Sequence, residues 1–315
     1  MAMALAERVS FCATNLNTAD RLVASLDSID VLGRAVGVPY EVVVADGPST
    51  DGARELLEDR QRQRADFRLV RHAERRRGAG RRLAFEASSG SVIAPFDTSI
   101  TYAAAYGGLL RAYLQLRTDR MLFSEICALS RRSIEEVGGW RDLIGAEDID
   151  LYGPLIERFG LIAWPVAFPE SQSARMGAYA RQMRYVQGSS VRRLLRMYAT
   201  QRDQIIGGNY RVRDLMGLNA AKPATRRAAL RVWFTLAAIG AGLRPIHPRK
   251  SGRNNYLILR EAILGSLLRG EHKSLAWNGP LPRLLLTPDE IGYLRGASSI
   301  WGEVEAQDPP IYGIK

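Results

Sequence analysis

Short apolar runs that alternate with helical patterns most constrain the fold of this sequence. The runs that we predict as strands are Arg8 to Ala13, Tyr40 to Ala45, Phe67 to Val70 and Val92 to Phe96. Runs that are apolar at successive positions are typical of strands buried on both faces. Between the runs, apolar residues recur at helical spacing, as at Leu22, Leu26 and Ile29. The alternation predicts an α/β fold with a mostly parallel sheet flanked by helices.

The pattern continues as far as a tryptophan-containing glycine turn. Thr18 is predicted to cap the first helix, because its hydroxyl can accept hydrogen bonds from backbone N–H groups at a helix start. Further helices are expected at about Asp51 to Arg64, Leu83 to Ala87, Ala103 to Leu116 and Arg131 to Val137. A fifth strand is predicted at Cys127 to Leu129, and the Gly138-Gly139-Trp140 turn follows the last of these helices.

Composition indicates a cytoplasmic protein. The chain has 315 residues, 46% of them hydrophobic and 24% charged, as in ordinary globular proteins. Its two cysteines, Cys12 and Cys127, lie in apolar runs, which favours buried thiols in a reducing compartment over a disulfide framework. The three histidines are too scattered to predict a zinc site. Residues 1–7 lack the basic start and apolar core of a signal peptide.

Positive charge is concentrated in one part of the chain. The net charge is +11 overall, and the segment from Ser171 to Arg253 holds 17 basic residues but only two acids, Asp203 and Asp214. Such a segment predicts an anionic partner: a diphosphate, a membrane surface or a nucleic acid. We therefore divide the chain into a first domain, residues 1–168, and a basic, mainly helical extension, residues 169–315, with the boundary between Pro165 and Ser171.

An apolar run from Val232 to Leu243 lies inside the basic extension. It is shorter than the roughly 20 residues that cross a bilayer, which leaves two alternatives open. One is a buried core helix, and the other is a helix lying in a membrane interface. The arginines on both sides of the run favour the interface, because each basic residue near an anionic surface adds about 1 kcal/mol to binding. The expected location is then peripheral, on the inner face of the cell membrane.

Three acidic segments are the candidates for a functional site. Asp46 and Asp97 each follow an apolar strand, and Glu147-Asp148-Ile149-Asp150 opens a helix. Carboxylates at a helix start are favoured by its free N–H groups, so capping alone would explain the third segment. Ligands of parallel α/β sheets bind at the carboxyl ends of the strands, however, where Asp46 and Asp97 fall. Together the three segments predict a site for a nucleotide, a cation and a proton.

The order of these segments, over Val9 to Phe159, resembles family 2 of the inverting glycosyltransferases, which have the Rossmann-like GT-A fold. The resemblance implies that Thr14 and Asn17 of the loop Thr14-Asn15-Leu16-Asn17 approach the nucleotide and that Asp46 recognises its base. A carboxylate there can accept an imide N–H of uracil or guanine. Gly78-Ala79-Gly80-Arg81 resembles the family's glycine-rich turn into a helix, whose arginine, here Arg81, faces the nucleotide.

Asp97-Thr98-Ser99 stands where the family has its D-x-D metal motif. The resemblance implies that Asp97 and Thr98 contact the sugar nucleotide and that Asp97 is a weak metal ligand. Ser99 replaces the second aspartate. Because Mg²⁺ and Mn²⁺ prefer carboxylate oxygen, a hydroxyl should weaken the binding of a divalent cation. A weaker metal dependence is therefore expected, with arginines taking over part of the stabilisation of the leaving group.

Glu147-Asp148 is similar to the family's E-D motif. The resemblance implies that Asp148 is the general base that takes a proton from the acceptor hydroxyl, with Glu147 supporting the acceptor side. Trp140 stands where the family often has an aromatic residue against the acceptor or sugar, although a core tryptophan fits nearly as well. Arginines of the basic segment are candidates to bind the diphosphate or the acceptor: Arg175, Arg181 and Arg184.

The sequence thus predicts a hexosyltransferase-like enzyme of glycan biosynthesis. It would transfer a sugar, with inversion, from a nucleoside-diphosphate sugar to a lipid-linked or glycan acceptor beside an anionic membrane. One alternative is a sugar nucleotidyltransferase, which is disfavoured because residues 13–17 lack glycine. Another is a nucleic-acid-binding protein, disfavoured because no aromatic cluster accompanies the basic segment. A non-catalytic protein that binds a sugar nucleotide stays open because of Ser99.

Overall fold

The computed structural model describes residues 8–164, 190–217, 219–220, 222–246 and 253–275, together with the strands Leu284–Leu286 and Tyr312–Ile314. The predicted boundary between Pro165 and Ser171 lies outside the described residues. So do the three candidate arginines of the basic segment, Arg175, Arg181 and Arg184. The division into residues 1–168 and 169–315 stays a prediction.

A five-stranded sheet forms the centre of the fold. Its strands are β1 (Val9–Asn15), β2 (Tyr40–Asp46), β3 (Phe67–Arg71), β4 (Val92–Pro95) and β6 (Leu129–Ser130), in the order β3-β2-β1-β4-β6. The first four are parallel to one another and β6 is antiparallel to β4. The predicted α/β fold with a mainly parallel sheet is confirmed.

Helices cover both faces of this sheet. They are α1 (Ala19–Val36), α2 (Ala53–Gln63), α3 (Arg77–Ala87), α4 (Ala105–Gln115), α5 (Arg131–Glu136) and α6 (Glu147–Phe159). Successive strand residues point to opposite faces. Phe11 and Val44 accordingly pack in the core beneath α1, α2 and α4, whereas Cys12 and Val43 pack in the core beneath α3, α5 and α6.

Three short features differ from the sequence predictions. Two three-residue strands, β5 (Met121–Phe123) and β7 (Leu161–Ala163), pair with each other in parallel and were not predicted. The strand predicted at Cys127 to Leu129 is shorter, since pairing with β4 involves only Leu129 and Ser130. Thr18 does precede α1, but its side chain makes no capping hydrogen bond. The backbone N–H of Ala19 instead donates to Asp51 Oδ2, at 2.8 Å.

The described part of the extension is helical, as predicted. Its helices are α7 (Ser190–Gly208), α8 (Val212–Gly217), α9 (Ala224–Gly242) and α10 (Asn255–Leu268), followed by a 3₁₀ turn (Glu271–Leu275). Helices α7, α8 and α9 share a core of their own. Helix α10 packs in the same core as α3 and α6, and its Ser266 Oγ accepts a hydrogen bond from Ala163 N, at 2.9 Å. The two short strands β8 (Leu284–Leu286) and β9 (Tyr312–Ile314) pair in parallel.

Helix α9 has two different apolar faces. Phe234, Ala237 and Ala241 are buried against α7 and α8, whereas the opposite face exposes a row of large apolar side chains: Val232, Leu236, Ile239 and Leu243. The run Val232 to Leu243 is therefore a core helix on one side and an exposed apolar surface on the other. Within the described residues, no helix is both long and apolar enough to cross a membrane.

Candidate active site

The loops that follow β1, β2 and β4 meet at the carboxyl edge of the sheet, and Asn15 joins them. Asn15 pairs with Asp46 in the sheet register and is buried. Its Nδ2 donates to Asp46 Oδ1 at 2.8 Å, and its Oδ1 accepts from the hydroxyls of Thr18 and Thr98. This residue lay within the loop identified from the sequence but was not picked out as a site residue. Its amide fixes the spacing of the three loops.

Asp46 lies at the end of β2, as predicted, and is fully buried. Besides Asn15, Ser49 Oγ donates to Oδ1 at 2.7 Å and Arg54 Nε donates to Oδ2 at 3.1 Å. A nucleotide that used this carboxylate would replace one of these partners. Arg54, whose side chain is 35% exposed, is the partner at the surface. No pattern in the sequence indicated Arg54.

Asn17 holds the β1 loop against the β2 loop. Its backbone is left-handed, with φ of 55°, a conformation that asparagine tolerates better than most residues. Its backbone N–H donates to Ser49 Oγ at 3.1 Å, and its Oδ1 accepts from Thr50 N at 2.8 Å. Thr14 packs against α3, since a Cβ built on Gly80 would lie 2.0 Å from Thr14 Oγ1. Both predicted loop residues therefore reach the carboxyl edge, where Asn17 shapes the loops.

Asp97 follows β4, and its carboxylate is partly occupied by its own loop. Oδ1 accepts hydrogen bonds from Ser99 N at 3.0 Å and from Ser99 Oγ at 2.7 Å. Burial alone would raise the pKa of Asp97, but the positive charge of Arg77 and the hydrogen bonds from Ser99 outweigh it and hold the pKa below its usual value. Thr98 is buried and its hydroxyl is bonded to Asn15.

Arg81 is a buried connection between the sheet and the acidic helix start. It is 6% exposed, and its Nη1 donates to Phe96 O at 2.7 Å and to Cys12 O at 3.3 Å. Its Nε lies 3.6 Å from Asp148 Oδ1. The sequence predicted an arginine facing the nucleotide. In the structure Arg81 is buried and lies beside Asp148, and its role towards a nucleotide stays a prediction.

Trp140 belongs to the core and also contacts Asp148. It is 2% exposed and packs against Phe85, with ring centroids 5.8 Å apart. Its indole Nε1 donates to Asp148 Oδ1 at 2.9 Å. Asp148 itself is partly exposed, at 26% of its side chain. The glycine turn thus places a hydrogen-bond donor that orients this carboxylate. The alternative that Trp140 is a core residue, which the sequence left open, describes the packing of its ring.

Glu147 is buried beside Asp148 and pairs with Arg77. The distance from Arg77 Nε to Glu147 Oε1 is 3.1 Å, and the Arg77 side chain is 53% exposed. Burial raises the pKa of Glu147 and the negative charge of Asp148 adds to the rise, while Arg77 and Arg81 oppose it without cancelling it. Arg77 was not among the predicted site residues, because it stands in a run of arginines, residues 75–77, that reads as a solvated surface.

Distant residues hold the loop that leads to Glu147. Ala146 has a left-handed backbone, with φ of 61°, and precedes α6. Two residues upstream, Ile144 N donates to Asp203 Oδ2 of α7 at 2.8 Å. Arg141 Nε donates to Asp150 Oδ2 at 2.7 Å, which closes the turn over the first residues of α6. The acidic helix start is therefore held both by its own turn and by the basic extension.

Asp97, the predicted metal ligand, already takes part in other interactions. Among the described residues, no group of three or more histidine, cysteine, aspartate or glutamate side chains is arranged to hold a metal. Asp97 Oδ1 carries the two Ser99 hydrogen bonds, and the charge of Arg77 acts on the same carboxylate. A hard cation requires several oxygen ligands, and a nearby guanidinium opposes it electrostatically. No step of the proposed reaction is therefore assigned to a metal.

Comparison with known families agrees with this geometry. Residues 10–103, which include Asn15, Asp46 and Asp97, match the family model for glycosyl transferase family 2. The chain has a family 2 glycosyltransferase-like fold. The predicted GT-A architecture is confirmed by the parallel sheet and the loops at its carboxyl edge. A comparison with curated proteins gives no match.

Solved structures of glycosyltransferases are similar to this glycosyltransferase-like chain. PcManGT, a mannosyltransferase from Pyrobaculum calidifontis in complex with GDP-Man and Mn²⁺, is 18% identical with a TM-score of 0.46, over 76% of this chain and 88% of that one. TarS 1-349 from S. aureus is 14% identical with a TM-score of 0.46, over 85% and 83%. Glucosyl-3-phosphoglycerate synthase from Mycobacterium tuberculosis, with Mn²⁺, UDP and phosphoglyceric acid, is 18% identical with a TM-score of 0.41, over 50% and 67%.

Proposed function

We propose that this protein transfers a sugar from a nucleoside-diphosphate sugar to an acceptor hydroxyl with inversion, and that Asp148 is the general base. The observation that carries the proposal is the placement of Asp148. It is partly exposed, Trp140 donates a hydrogen bond to it, and Arg81 lies 3.6 Å from it while donating to Phe96 O, the residue before Asp97. A hydrogen bond from a buried indole holds the carboxylate in one orientation, which a general base requires.

The proposed chemistry is one direct displacement. The acceptor oxygen attacks the anomeric carbon as its proton passes to Asp148, and the bond from that carbon to the diphosphate oxygen breaks. Trp140 and Arg81 both approach Oδ1, so we assign the proton to Oδ2. Glu147, buried beside Asp148, is assigned to the acceptor side.

Donor binding is assigned to the loops after β1, β2 and β4, with Thr14, Asn17, Asp46, Asp97 and Thr98 in or beside the site. Asp46→Ala and Asp97→Ala should each weaken binding of the donor in a calorimetric titration against a panel of sugar nucleotides. Asp59→Ala is a suitable control, because Asp59 is 54% exposed on α2 and pairs with the exposed Arg62. Unchanged affinity in both site variants would show that the donor binds elsewhere.

A non-catalytic sugar-nucleotide-binding protein is the second candidate, and Ser99 is the observation that favours it. The distinguishing measurement is release of nucleoside diphosphate from each donor that stabilises the protein, with and without glycan or lipid-linked acceptors. A ligand at 100 times its dissociation constant adds about 2.7 kcal/mol to the free energy of unfolding, which makes thermal stabilisation a sensitive first screen. Stabilisation without any turnover would select the non-catalytic function.

We also propose that the exposed face of α9 holds the protein on an anionic membrane beside a lipid-linked acceptor. Val232, Leu236, Ile239 and Leu243 recur at intervals of four, three and four residues, so they share one side of the helix. Arg226, Arg227 and Arg231 lie exposed along α9. A helix that has an exposed apolar face and arginines on its other faces is typical of helices that lie in a membrane interface.

Liposome co-sedimentation tests this surface. Binding should occur on anionic but not on neutral vesicles, and it should weaken as salt rises, because screening acts within about 8 Å at physiological ionic strength. Leu236→Ser/Ile239→Ser should reduce binding while leaving the fold intact, since both side chains are more than half exposed. Binding to RNA in place of vesicles would assign the basic extension to a nucleic acid.

A further inference from the structure

We propose that Arg77 binds the diphosphate of the donor in the place where the second carboxylate of a metal motif would hold a cation. Nucleoside-diphosphate binding would then not require a divalent cation. The inference rests on the proposed function, because it names the group that recognises the donor's phosphates. It concerns a residue outside the motifs by which the sequence resembles family 2.

The position of Arg77 carries the proposal. It is the first residue of α3, and its Nε lies 3.1 Å from Glu147 Oε1. Arg77 therefore lies beside the acids at the start of α6, and 53% of its side chain is exposed.

Three of the neighbouring arginines do not share this combination. Arg81 is buried and bound to two strand carbonyls. Arg76 pairs with Glu74 and Asp142. Arg82 pairs with Glu86 one turn along its own helix, at 3.1 Å. Among these arginines of α3 and its start, Arg77 is the one that contacts a site carboxylate and is also more than half exposed.

The chemistry of the site makes a cationic side chain useful there. A leaving nucleoside diphosphate carries negative charge that must be balanced, and a cation held by two carboxylates is one way to do so. Here Ser99 supplies a hydroxyl, which donates to Asp97 Oδ1. A guanidinium can bind two phosphate oxygens at once with charge-assisted hydrogen bonds. Arg77 thus supplies the balancing charge from the protein itself.

The pair between Arg77 and Glu147 also predicts a change in protonation when the donor binds. The pKa of Glu147 is raised by burial and by Asp148, and Arg77 is the strongest influence that opposes the rise. When a diphosphate draws Arg77 towards itself, Glu147 loses part of that opposition. Donor binding should therefore be accompanied by proton uptake, which calorimetry in buffers of different ionisation enthalpy measures directly.

The test is titration of the full chain with UDP and with GDP, in EDTA and in Mn²⁺, using R77Q, R77K and the control R82Q. Wild type should bind one of the two nucleotides in EDTA with an affinity within about threefold of that in Mn²⁺. R77Q should lose at least about tenfold in affinity, the usual scale for a hydrogen bond to a charged group, while R82Q stays within about twofold. R77K keeps the charge, so it should recover part of the loss and shows that misfolding is not the cause.

Two results would overturn the inference alone. One is wild-type binding that R77Q does not weaken, and the other is wild-type binding that EDTA abolishes and Mn²⁺ restores. If wild type binds neither these nucleotides nor any sugar nucleotide of the panel, the proposed function fails together with the inference. The three outcomes are distinct in the same set of titrations.

Discussion

Asp203 offers the sharpest prediction about how the extension supports the site. Its side chain is fully buried in α7, 59 residues away from the loop that it holds. Oδ2 accepts from Ile144 N at 2.8 Å, while Oδ1 accepts from Arg244 Nη1 at 2.7 Å and from Arg202 Nε at 3.1 Å. Asp203→Ala removes the acceptor of all three donors at once.

The structure sets the size of the effect. Removing one partner of a buried ion pair costs about 3–5 kcal/mol, because the remaining charge is left without compensation. The side chains of Arg202 and Arg244 are 23% and 15% exposed, so water recovers part of their loss. The N–H of Ile144 adds the cost of an unpaired donor, about 1–3 kcal/mol. We expect the free energy of unfolding to fall by about 3 kcal/mol in total.

Urea denaturation followed by tryptophan fluorescence measures this loss. Asp203→Asn keeps an acceptor for Ile144 N but not the charge, so it should fall between wild type and Asp203→Ala. Asp59→Ala should change the free energy by no more than about 0.5 kcal/mol, because Asp59 is an exposed surface residue. A loss below about 1 kcal/mol in Asp203→Ala would refute the argument that this carboxylate holds the loop together.

Three further predictions concern titration, thiols and metal. Because the pKa of Glu147 is raised, the free energy of unfolding should fall as pH rises from the ordinary range of glutamate through the raised value. Glu147→Gln should therefore be more stable than wild type at about pH 8 but not at about pH 4. Denaturation at both pH values checks this, and an equal difference at both would contradict it. Burial raises the pKa of Cys12 to about 12 and that of Cys127 to about 11. Neither thiol should therefore react with a disulfide reagent at about pH 8 until the protein unfolds. Fast labelling of the native protein would contradict the prediction that both thiols are buried. Ser99→Asp should make nucleoside-diphosphate binding respond more strongly to Mn²⁺ than in wild type, and an unchanged response to EDTA would argue against a site at Asp97.

The sequence was sufficient for the parts of the fold that depend on local pattern. The first four strands were predicted within two residues of their bounds, because buried parallel strands are continuous apolar runs. The strands Met121–Phe123 and Leu161–Ala163 were missed, since three residues show no period. Helix α3 begins six residues earlier than the predicted helical stretch from Leu83, because arginines and glycines do not indicate a buried helix start.

For the candidate site, too, the sequence indicated residues that stand in local patterns but not the contacts between distant segments. The acids Asp46, Asp97 and Asp148 could be predicted as candidates because each stands at the end of a strand or the start of a helix. Their partners were not found, since contacts between distant segments leave no local pattern. Asn15 joins three loops, and Arg81 contacts Asp148 from beneath rather than facing the solvent. Packing, which the sequence does not show directly, decided the direction of each side chain.

Asp148→Asn tests the central claim most directly. The variant keeps an oxygen that can accept from Trp140 Nε1, so the turn and the donor site should be preserved. With a donor identified by thermal stabilisation, binding affinity should stay within about threefold of wild type, while transfer to the acceptor should fall by at least about 10²-fold, the usual contribution of a general base. Transfer at the wild-type rate, with donor binding intact, would contradict the account.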